Sequence, residues 1–594
     1  MAKVVIIDTG IDINNPRFNN TYGEGVAFHL DKDVVVMSND FQDEVGHGTA
    51  ISDIILNECK EVQIIPVKVI GINYYTEENV MIEALNYVLN NIECDVINMS
   101  LGLNTCTRSE ELERIICELK NRGTIVVSAF NNDGSMSYPA MLEDVIGVDS
   151  TKESTLVDYY EFVENSEINI RSVGGNQRVL WLSGQHKVVC GSSFATAHIT
   201  AIIASFINKG VSIDDIVFEL KQAAAKVVFS NESEENQMNF SIKKAIAFPY
   251  NKEMHSVVKF ENNLTFELVK ICDVRESGNV GKNIVSNVGN EYVVQNIFKI
   301  DWNDDFDTII VGHINVLEKM LKLDIKKYLL LKCKLHHKNI YSFDYISKEK
   351  IQNTEDYNIF CPYINSKMLP QNTYGKLYHI NKPVLGVFGT GSKQGKFTLQ
   401  MILKNHFQND GYKVGHLGTE PSAFLFGCSK IYPMGYENSV DIKGFDSISL
   451  LNKYMFDMAH DSEIIIVGSQ SNTVPPLMGN QCYYTTKQIE FLMGTQPDAV
   501  ILCFNAHDSE EYISRTINSI ENLVKTKVIA SVMFPLKLKA GWAGINGVME
   551  KVSKKDIEYY KNYFSTKHDI PMFFLDDEKS LIDLYNNCIN YFSE

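Results

Sequence analysis

The sequence predicts an α/β chain with two parallel-sheet domains and a smaller α/β domain between them. Three observations carry that expectation. β-Branched runs alternate with helix-period segments over residues 1–250, the alternation returns after Lys382-Pro383, and residues 253–380 hold shorter strands around one strand–helix–strand unit. Parallel strands joined by helices imply sheets covered on both faces. The 594 residues exceed what one core accommodates, about 250–300 residues. A composition of 45% hydrophobic and 22% charged residues is that of globular protein.

The charge balance, 55 Lys and Arg against 74 Asp and Glu, leaves −19. Such a chain repels phosphate backbones and anionic lipid, so no nucleic-acid or membrane partner is expected, although a local phosphate cradle stays compatible. No stretch reaches the ~18 consecutive apolar residues of a membrane span. The opening run Lys3-Val4-Val5-Ile6-Ile7-Asp8 is too short for an export signal, and the 12 cysteines form no C-x-x-C pair. They read as reduced thiols, so a cytoplasmic location is expected.

In residues 1–250, Val4–Asp8, Gln63–Ile70, Asp95–Ser100 and Gly123–Ala129 read as buried strands, with helices at Glu78–Asn91 and Arg108–Arg122. Polar residues 231–237 mark the approach to the domain's end, and Pro249-Tyr250-Asn251 reads as a linker. In 253–380 the pattern gives a strand at Asp307–Val311, a helix over Ile314–Leu323 and a strand at Tyr328–Leu331, a Rossmann-like or mixed α/β unit with no glycine fingerprint. His313 is a strand-end residue there. Cys333, His336 and His337 read as a strand end running into a loop rather than a zinc set, and no metal site is expected. In 381–594, strands at Val384–Phe388, Lys413–Leu417, Glu463–Val467, Ala499–Phe504 and Val528–Met533 alternate with helices, a doubly wound pattern.

Three motifs stand in order in the first domain. Val5-Ile6-Ile7-Asp8-Thr9-Gly10 ends a buried strand in an acid. Asp43-Glu44-Val45-Gly46-His47-Gly48-Thr49 sets a histidine at a helix start, and Gly191-Ser192-Ser193-Phe194-Ala195-Thr196 sets a serine where a turn enters a helix. Each residue type suits one role in acyl transfer: a serine nucleophile, a histidine that takes its proton, and a carboxylate that fixes the imidazole tautomer.

Together these motifs resemble the subtilisin-like serine peptidases over most of residues 2–250. Val96-Ile97-Asn98-Met99-Ser100-Leu101-Gly102 resembles the strand that pairs with substrate backbone. Val126-Val127-Ser128-Ala129-Phe130-Asn131-Asn132-Asp133-Gly134 resembles the segment that delivers the oxyanion-hole asparagine. The resemblance implies catalysis by Asp8, His47 and Ser193, with Asn132 and the Ser193 N–H holding the oxyanion. It also implies substrate contacts from Ser100, Leu101, Gly102, Ala129, Phe130 and Asn131, and no cofactor. Two positions depart from the family's usual glycine and proline, Asn131 and Ala197. Phe130 and Asn131 add bulk beside the first pocket, so a small residue is expected on the acyl side of the cleaved bond; the alternative, Phe130 directed into the core, would leave the pocket open. The stretch from His47 to Val69 lacks the loop that often holds calcium, and neither a signal nor a prodomain precedes Asp8. Activity is therefore expected without calcium or autoprocessing.

A second motif lies at Gly389-Thr390-Gly391-Ser392-Lys393-Gln394-Gly395-Lys396-Phe397-Thr398, between a buried strand and a helical run over Leu399–Phe407. A strand, a glycine-rich loop with Gly-Lys and a helix form the context in which backbone N–H groups receive phosphates. The lengthened spacing resembles the dethiobiotin-synthetase-like P-loop proteins, and Gly418-Thr419-Glu420 and Val467-Gly468-Ser469 fit that comparison. It implies ATP or GTP with Mg, held by Gly389, Thr390, Gly395, Lys396, Thr398 and Glu420. Phe397 replaces the expected Mg-binding hydroxyl, and an acid expected near Gly468 is absent, so a glycine turn that has lost its nucleotide stays open. The whole arrangement resembles clostridial peptide-maturation proteins encoded beside ribosomal natural-product precursors. That implies a serine endopeptidase removing a leader from a precursor peptide. The alternative is an ATP-dependent ligase or kinase of a peptide or small molecule, with the subtilisin-like domain as accessory.

Overall fold

A computed structural model describes residues 1–594 except 152–155, 157–158, 230–235, 347–356, 371–374, 436–438, 478, 480–484, 535, 539–548 and 594. Most of the polar stretch at 231–237 therefore lies outside the described residues. Two compact units form, Met1–Ser233 with Pro370–His379, and Glu234–Leu369 with Ile380–Glu594.

The first unit is built on a ten-stranded sheet. Its strands are β1 (Ala2–Asp8), β2 (Val26–Asp31), β3 (Val34–Ser38), β4 (Val62–Lys68), β5 (Val96–Met99), β6 (Ile125–Ala129), β7 (Val145–Thr151), β8 (Tyr160–Glu164), β9 (Ile170–Val173) and β10 (Lys226–Phe229). Their order is β10-β8-β9-β7-β6-β5-β1-β4-β2-β3, and the run from β9 to β2 is parallel. Alternation along β1 sorts the helices between the two faces. Val4 and Ile6 pack with α1 (His47–Glu58) and α4 (Ser192–Asn208). Val5 and Ile7 pack with α2 (Glu78–Asn91) and α3 (Ser109–Asn121). In α3 the buried side chains Leu112, Ile115, Ile116 and Leu119 follow one helical stripe. β1 lies centrally, with Asp8 opposite Lys68 and Ile7 opposite Met99, so its carboxyl end opens beside the segment that follows β5.

The second unit holds two parallel sheets. The smaller comprises β11 (Lys244–Phe248), β12 (Glu267–Asp273), β13 (Gln295–Asn296), β14 (Thr308–Val311), β15 (Asn339–Ser342) and β16 (Ile359–Phe360), ordered β13-β12-β11-β14-β15-β16. β11 is an internal strand of this sheet. Pro249–Asn251 is thus the turn from β11 into a helix, not a linker, and the Asn251 side chain caps that helix by accepting the Met254 N–H at 3.1 Å. The larger sheet comprises β17 (Val384–Gly389), β18 (Val414–Gly418), β19 (Lys430–Ile431), β20 (Ile464–Gly468), β21 (Ala499–Phe504), β22 (Lys527–Met533) and β23 (Met572–Phe574), ordered β19-β18-β20-β17-β21-β22-β23. Leu385 and Val387 of β17 pack on Leu399, Leu403 and Phe407 on one face, and Val384 and Phe388 join Leu450 and Leu451 in the other core. Doubly wound architecture is thus realised in both large sheets.

Tyr328–Leu331 is not a strand. It lies within a helix spanning Ile325–His336, capped by the Asp324 side chain accepting the Lys327 N–H at 2.9 Å. Ile325, Leu329 and Cys333 are buried one turn apart, and the parallel partner of β14 comes later, at β15. Cys333 and His336 consequently stand in the last turns of this helix rather than at a strand end. A strand would bury Leu329 and Leu331 together, whereas the helix leaves Leu331 61% exposed and Leu329 2% exposed. Leu331→Asp should therefore shift unfolding by no more than about 0.5 kcal/mol, whereas Leu329→Asp should lose several times that. Chemical denaturation of the two variants makes the comparison.

Candidate functional site

Asp8 ends β1 with no exposure. The His47 Nδ1–H donates to its Oδ1 at 2.8 Å and lies 3.0 Å from Oδ2, and Thr9 N–H donates to Oδ1 at 2.7 Å. His47 is the first residue of α1, so the start of that helix fixes the ring. A carboxylate missed in the sequence reading holds that start. Asp43 Oδ1 accepts the N–H groups of Val45 and Gly46 at 2.9 and 2.8 Å, and Oδ2 accepts Thr49 N–H and Oγ1–H at 3.0 and 2.6 Å. An aspartate shortly before a helical run is the available signal. The next position, Gly48, needs the absence of a side chain: a Cβ there would lie 2.2 Å from the Gly10 carbonyl oxygen. Burial by itself lowers the His47 pKa, but the charge and hydrogen bond of Asp8, with the charge of Asp43, outweigh it and raise the value above the ordinary 6.5.

Ser193 is the second residue of α4, whose N-cap Gly191 adopts φ +139°, a backbone region open to glycine. The Ser193 hydroxyl donates to the Ser100 carbonyl at 3.0 Å, and Ser100 Oγ–H donates to the Ser193 carbonyl at 2.9 Å. Ser193 is therefore latched to the segment after β5. Catalytic hydrogen bonds of ligand-free sites commonly form only when substrate arrives. Phe194, its neighbour, packs its ring 5.4 Å from that of His47, which brings α4 to α1. Asn132 follows β6. Its Oδ1 accepts Ser192 N–H at 3.0 Å, which leaves its NH2 group beside Gly191, with Nδ2 2.9 Å from where a Cβ would stand. The Ser193 N–H belongs to the first helical turn, whose donors have no intrahelical acceptor. Asp8, His47, Ser193 and Asn132 thus converge on the carboxyl edge of the sheet.

Ser100 and Leu101 are buried and Gly102 is half-buried, all outside the ladder, and the segment pairs only from Leu103, with Tyr138. Ala129 ends β6. Phe130 does not line a pocket. It is 1% exposed, with its ring toward Gly147, whose missing side chain makes room for it. The expected bulk therefore comes from Asn131 alone. Its Nδ2–H donates to Asn104 Oδ1, and its own Oδ1 lies over Gly102, so the side chain crosses between the two segments. Ala197 is buried inside α4.

In the second unit, Gly389 ends β17 and Thr390 opens the loop, and Gly395 caps α5 (Lys396–Asn409). Lys396 Nζ donates to the carbonyls of Gly391 and Ser471 at 2.5 and 2.9 Å. Gln394, which the sequence reading passed over, folds into the loop: its Oε1 accepts Gly391 N–H at 3.1 Å and its Nε2 donates to Thr390 Oγ1 at 2.6 Å. Thr390 Oγ1–H in turn donates to Asp508 at 2.5 Å. Phe397, at the hydroxyl position, packs against Phe260 and Phe426, and Thr398 sits half-buried on the first turn. Glu420 accepts the Gln470 Nε2–H at 2.7 Å and so lies in the loops that follow β18 and β20.

Residues 2–237 match the model of the Subtilase family, and residues 372–573 match that of a domain of unknown function described as the DUF1611_C P-loop domain. The minor extracellular protease Epr of Bacillus subtilis (strain 168) is 26% identical over 214 residues, which span 34% of this chain and 31% of that protein. Subtilisin NAT of Bacillus subtilis subsp. natto is 27% identical over 223 residues, 35% of this chain and 56% of that protein. The chain thus spans about a third to just over half the length of these relatives. A solved cold adapted subtilisin-like serine proteinase aligns at TM-score 0.30 and 22% identity, over 37% of this chain and 81% of that one. The chain carries a subtilase domain fused to a P-loop domain.

The raised His47 pKa sets a pH dependence with two opposite signs. The imidazolium–Asp8 pair stabilises the fold fully below the ordinary histidine pKa, and that contribution is lost as pH rises through the raised value. A neutral His47 base is lost in the other direction, as pH falls through the same value. NMR titration of the His47 ring should give a midpoint above 6.5, and Asp8→Asn should lower it. A midpoint below 6.5 in the unsubstituted protein would contradict the assigned balance.

Proposed function

We propose that the chain is a cytoplasmic serine endopeptidase that cleaves a peptide precursor, removing a leader segment during maturation of a ribosomally made peptide. The observation that carries this reading is the buried Asp8 carboxylate on His47 Nδ1, with Ser193 and Asn132 brought to the same sheet edge. In the proposed reaction the Ser193 hydroxyl leaves Ser100 and passes its proton to His47 Nε2 as Oγ attacks the scissile carbonyl. Asp8 holds the tautomer and stabilises the imidazolium. Asn132 Nδ2–H and the Ser193 N–H receive the oxyanion. His47 then protonates the leaving amine, and water repeats the sequence to release the acid. None of these roles calls on a metal or an organic cofactor. The described cysteines stand as free thiols, and among the described residues no helix is long and apolar enough to cross a membrane.

The second unit suits phosphate better than magnesium. Lys396 and the first turn of α5 offer a cation and N–H donors to a phosphate, at the end of the loop that runs from Gly389 and Thr390 to Gly395. Phe397 fills the place of a magnesium hydroxyl ligand with an apolar ring, and Glu420 is engaged by Gln470. ATP or GTP is therefore proposed as a bound ligand, through its phosphates, with no hydrolytic step assigned. Lys396→Ala should weaken binding about tenfold or more, as expected for loss of a charged hydrogen-bond donor. Calorimetry checks it, and binding by the variant equal to that of the unsubstituted protein would remove Lys396 from the site.

Ser193→Ala should abolish cleavage of a peptide library, and Asn132→Ala should lower kcat by about 10²–10³. Undiminished cleavage by Ser193→Ala would overturn the reading. The Asn131 side chain should restrict the acyl-side residue to Gly, Ala or Ser, and Asn131→Gly should admit larger ones, each added methylene being worth about 1–3 kcal/mol. A native preference for Phe, Tyr or Leu would refute the narrow pocket.

A further inference from the structure

A short segment of the first unit comes from far along the chain: the described residues Gly375–His379 group with the first unit, although Leu369 and Ile380 belong to the second. Gly375–His379 lies along the loop that follows β6. Leu377 forms a parallel bridge with Ser135, accepts the Met136 N–H at 2.9 Å and donates its own N–H to the Gly134 carbonyl at 3.3 Å. Tyr378 is 3% exposed, and its hydroxyl donates to Glu167 Oε1 at 2.8 Å.

Lys376 reaches furthest. Its Nζ donates to the Asn131 carbonyl at 2.9 Å and lies 3.5 Å from Asp149 Oδ1 on β7, and the residue is 8% exposed. Lysines this buried are rare unless paired. The Asn131 carbonyl shares one planar peptide group with the Asn132 N–H. Anchoring that oxygen to a charge pinned on the sheet fixes the plane from which the Asn132 side chain departs. The loop is also tied within itself, by Asn131 N–H to Ser137 Oγ at 3.0 Å and Ser135 N–H to Asp133 at 2.9 Å. Its side chains reach Asn104 and Ser192, but Lys376 is the charged group on the Asn131 carbonyl.

We propose that Lys376 is a positioning residue for the oxyanion donor Asn132, carried on a strap that completes the peptidase from outside residues 2–237. The proposal rests on the peptidase reading above. Misplacing Asn132 weakens stabilisation of the developing oxyanion without altering how the ligand is held beforehand. The loss should therefore fall on the chemical step.

The test uses the full chain and a fluorophosphonate, whose phosphoryl oxygen occupies the oxyanion site as Ser193 is phosphonylated. Lys376→Met should lower the limiting rate of labelling about tenfold, with the half-saturating concentration unchanged, and Lys376→Arg should restore most of it. In an Asn132→Ala background Lys376→Met should change the rate less than about twofold, because the group it positions is gone. Lys376→Met leaves Asp149 without its cation. Lys376→Met with Asp149→Asn, which removes both charges, therefore supplies the same comparison if the single variant does not fold. An unchanged rate in a folded variant, or a full tenfold loss in the Asn132→Ala background, overturns the strap's role and leaves the peptidase reading standing. Absence of labelling in the unsubstituted protein overturns the peptidase reading and this proposal with it.

Discussion

A carboxylate with no exposure to water, at the end of the central strand, is the constraint around which the first unit is arranged. Asp8 must be compensated where it stands, because an unpartnered buried charge costs about 3–5 kcal/mol, more than a helix cap contributes. Compensation comes from His47 and the Thr9 N–H. His47 can reach only if α1 begins at that point, so Asp43 gathers four donors at the helix start and Gly48 lets the helix meet Gly10. The same pairing that steadies the fold favours an imidazolium. Acyl transfer needs that state midway and a neutral ring at the start, so one contact serves both stability and the proposed chemistry.

The strands, and the residues proposed for catalysis, were legible in the sequence because both rest on local pattern. Val4–Asp8 is a continuous β-branched run ending in an acid, and the histidine and serine stand at helix starts marked by glycines. Where local pattern is ambiguous it misled. Four consecutive apolar residues, Tyr328–Leu331, suit a strand or a helix equally. The deciding feature is the Asp324 cap with the one-turn spacing of Ile325, Leu329 and Cys333. Local pattern leaves Phe130 either beside a pocket or in the core, and the choice is made by Gly147, a distant position that makes room for its ring. Lys376 left no trace at all, since its partners lie more than 200 residues earlier in the chain.

The two motifs that carry chemistry are held differently. Around Ser193, the donors proposed for an oxyanion are left over after the loop and helix have satisfied their own needs. In the glycine loop after β17, by contrast, Gln394 and Lys396 turn inward onto Thr390 and onto the carbonyls of Gly391 and Ser471. A phosphate entering there would exchange with these contacts, so its affinity is a difference between two sets of hydrogen bonds. The strap around Lys376 and Leu377 precedes β17 by only a few residues, so the chain that braces the oxyanion loop runs directly into the first strand of the P-loop sheet.

The central claim is that Asp8, His47 and Ser193 act as one acyl-transfer unit. Peptide mapping by mass spectrometry after fluorophosphonate treatment tests it most directly. The account predicts one adduct, on Ser193, that is lost when His47 is replaced by alanine. An adduct on any other residue, or labelling of Ser193 at the same rate without His47, would contradict it.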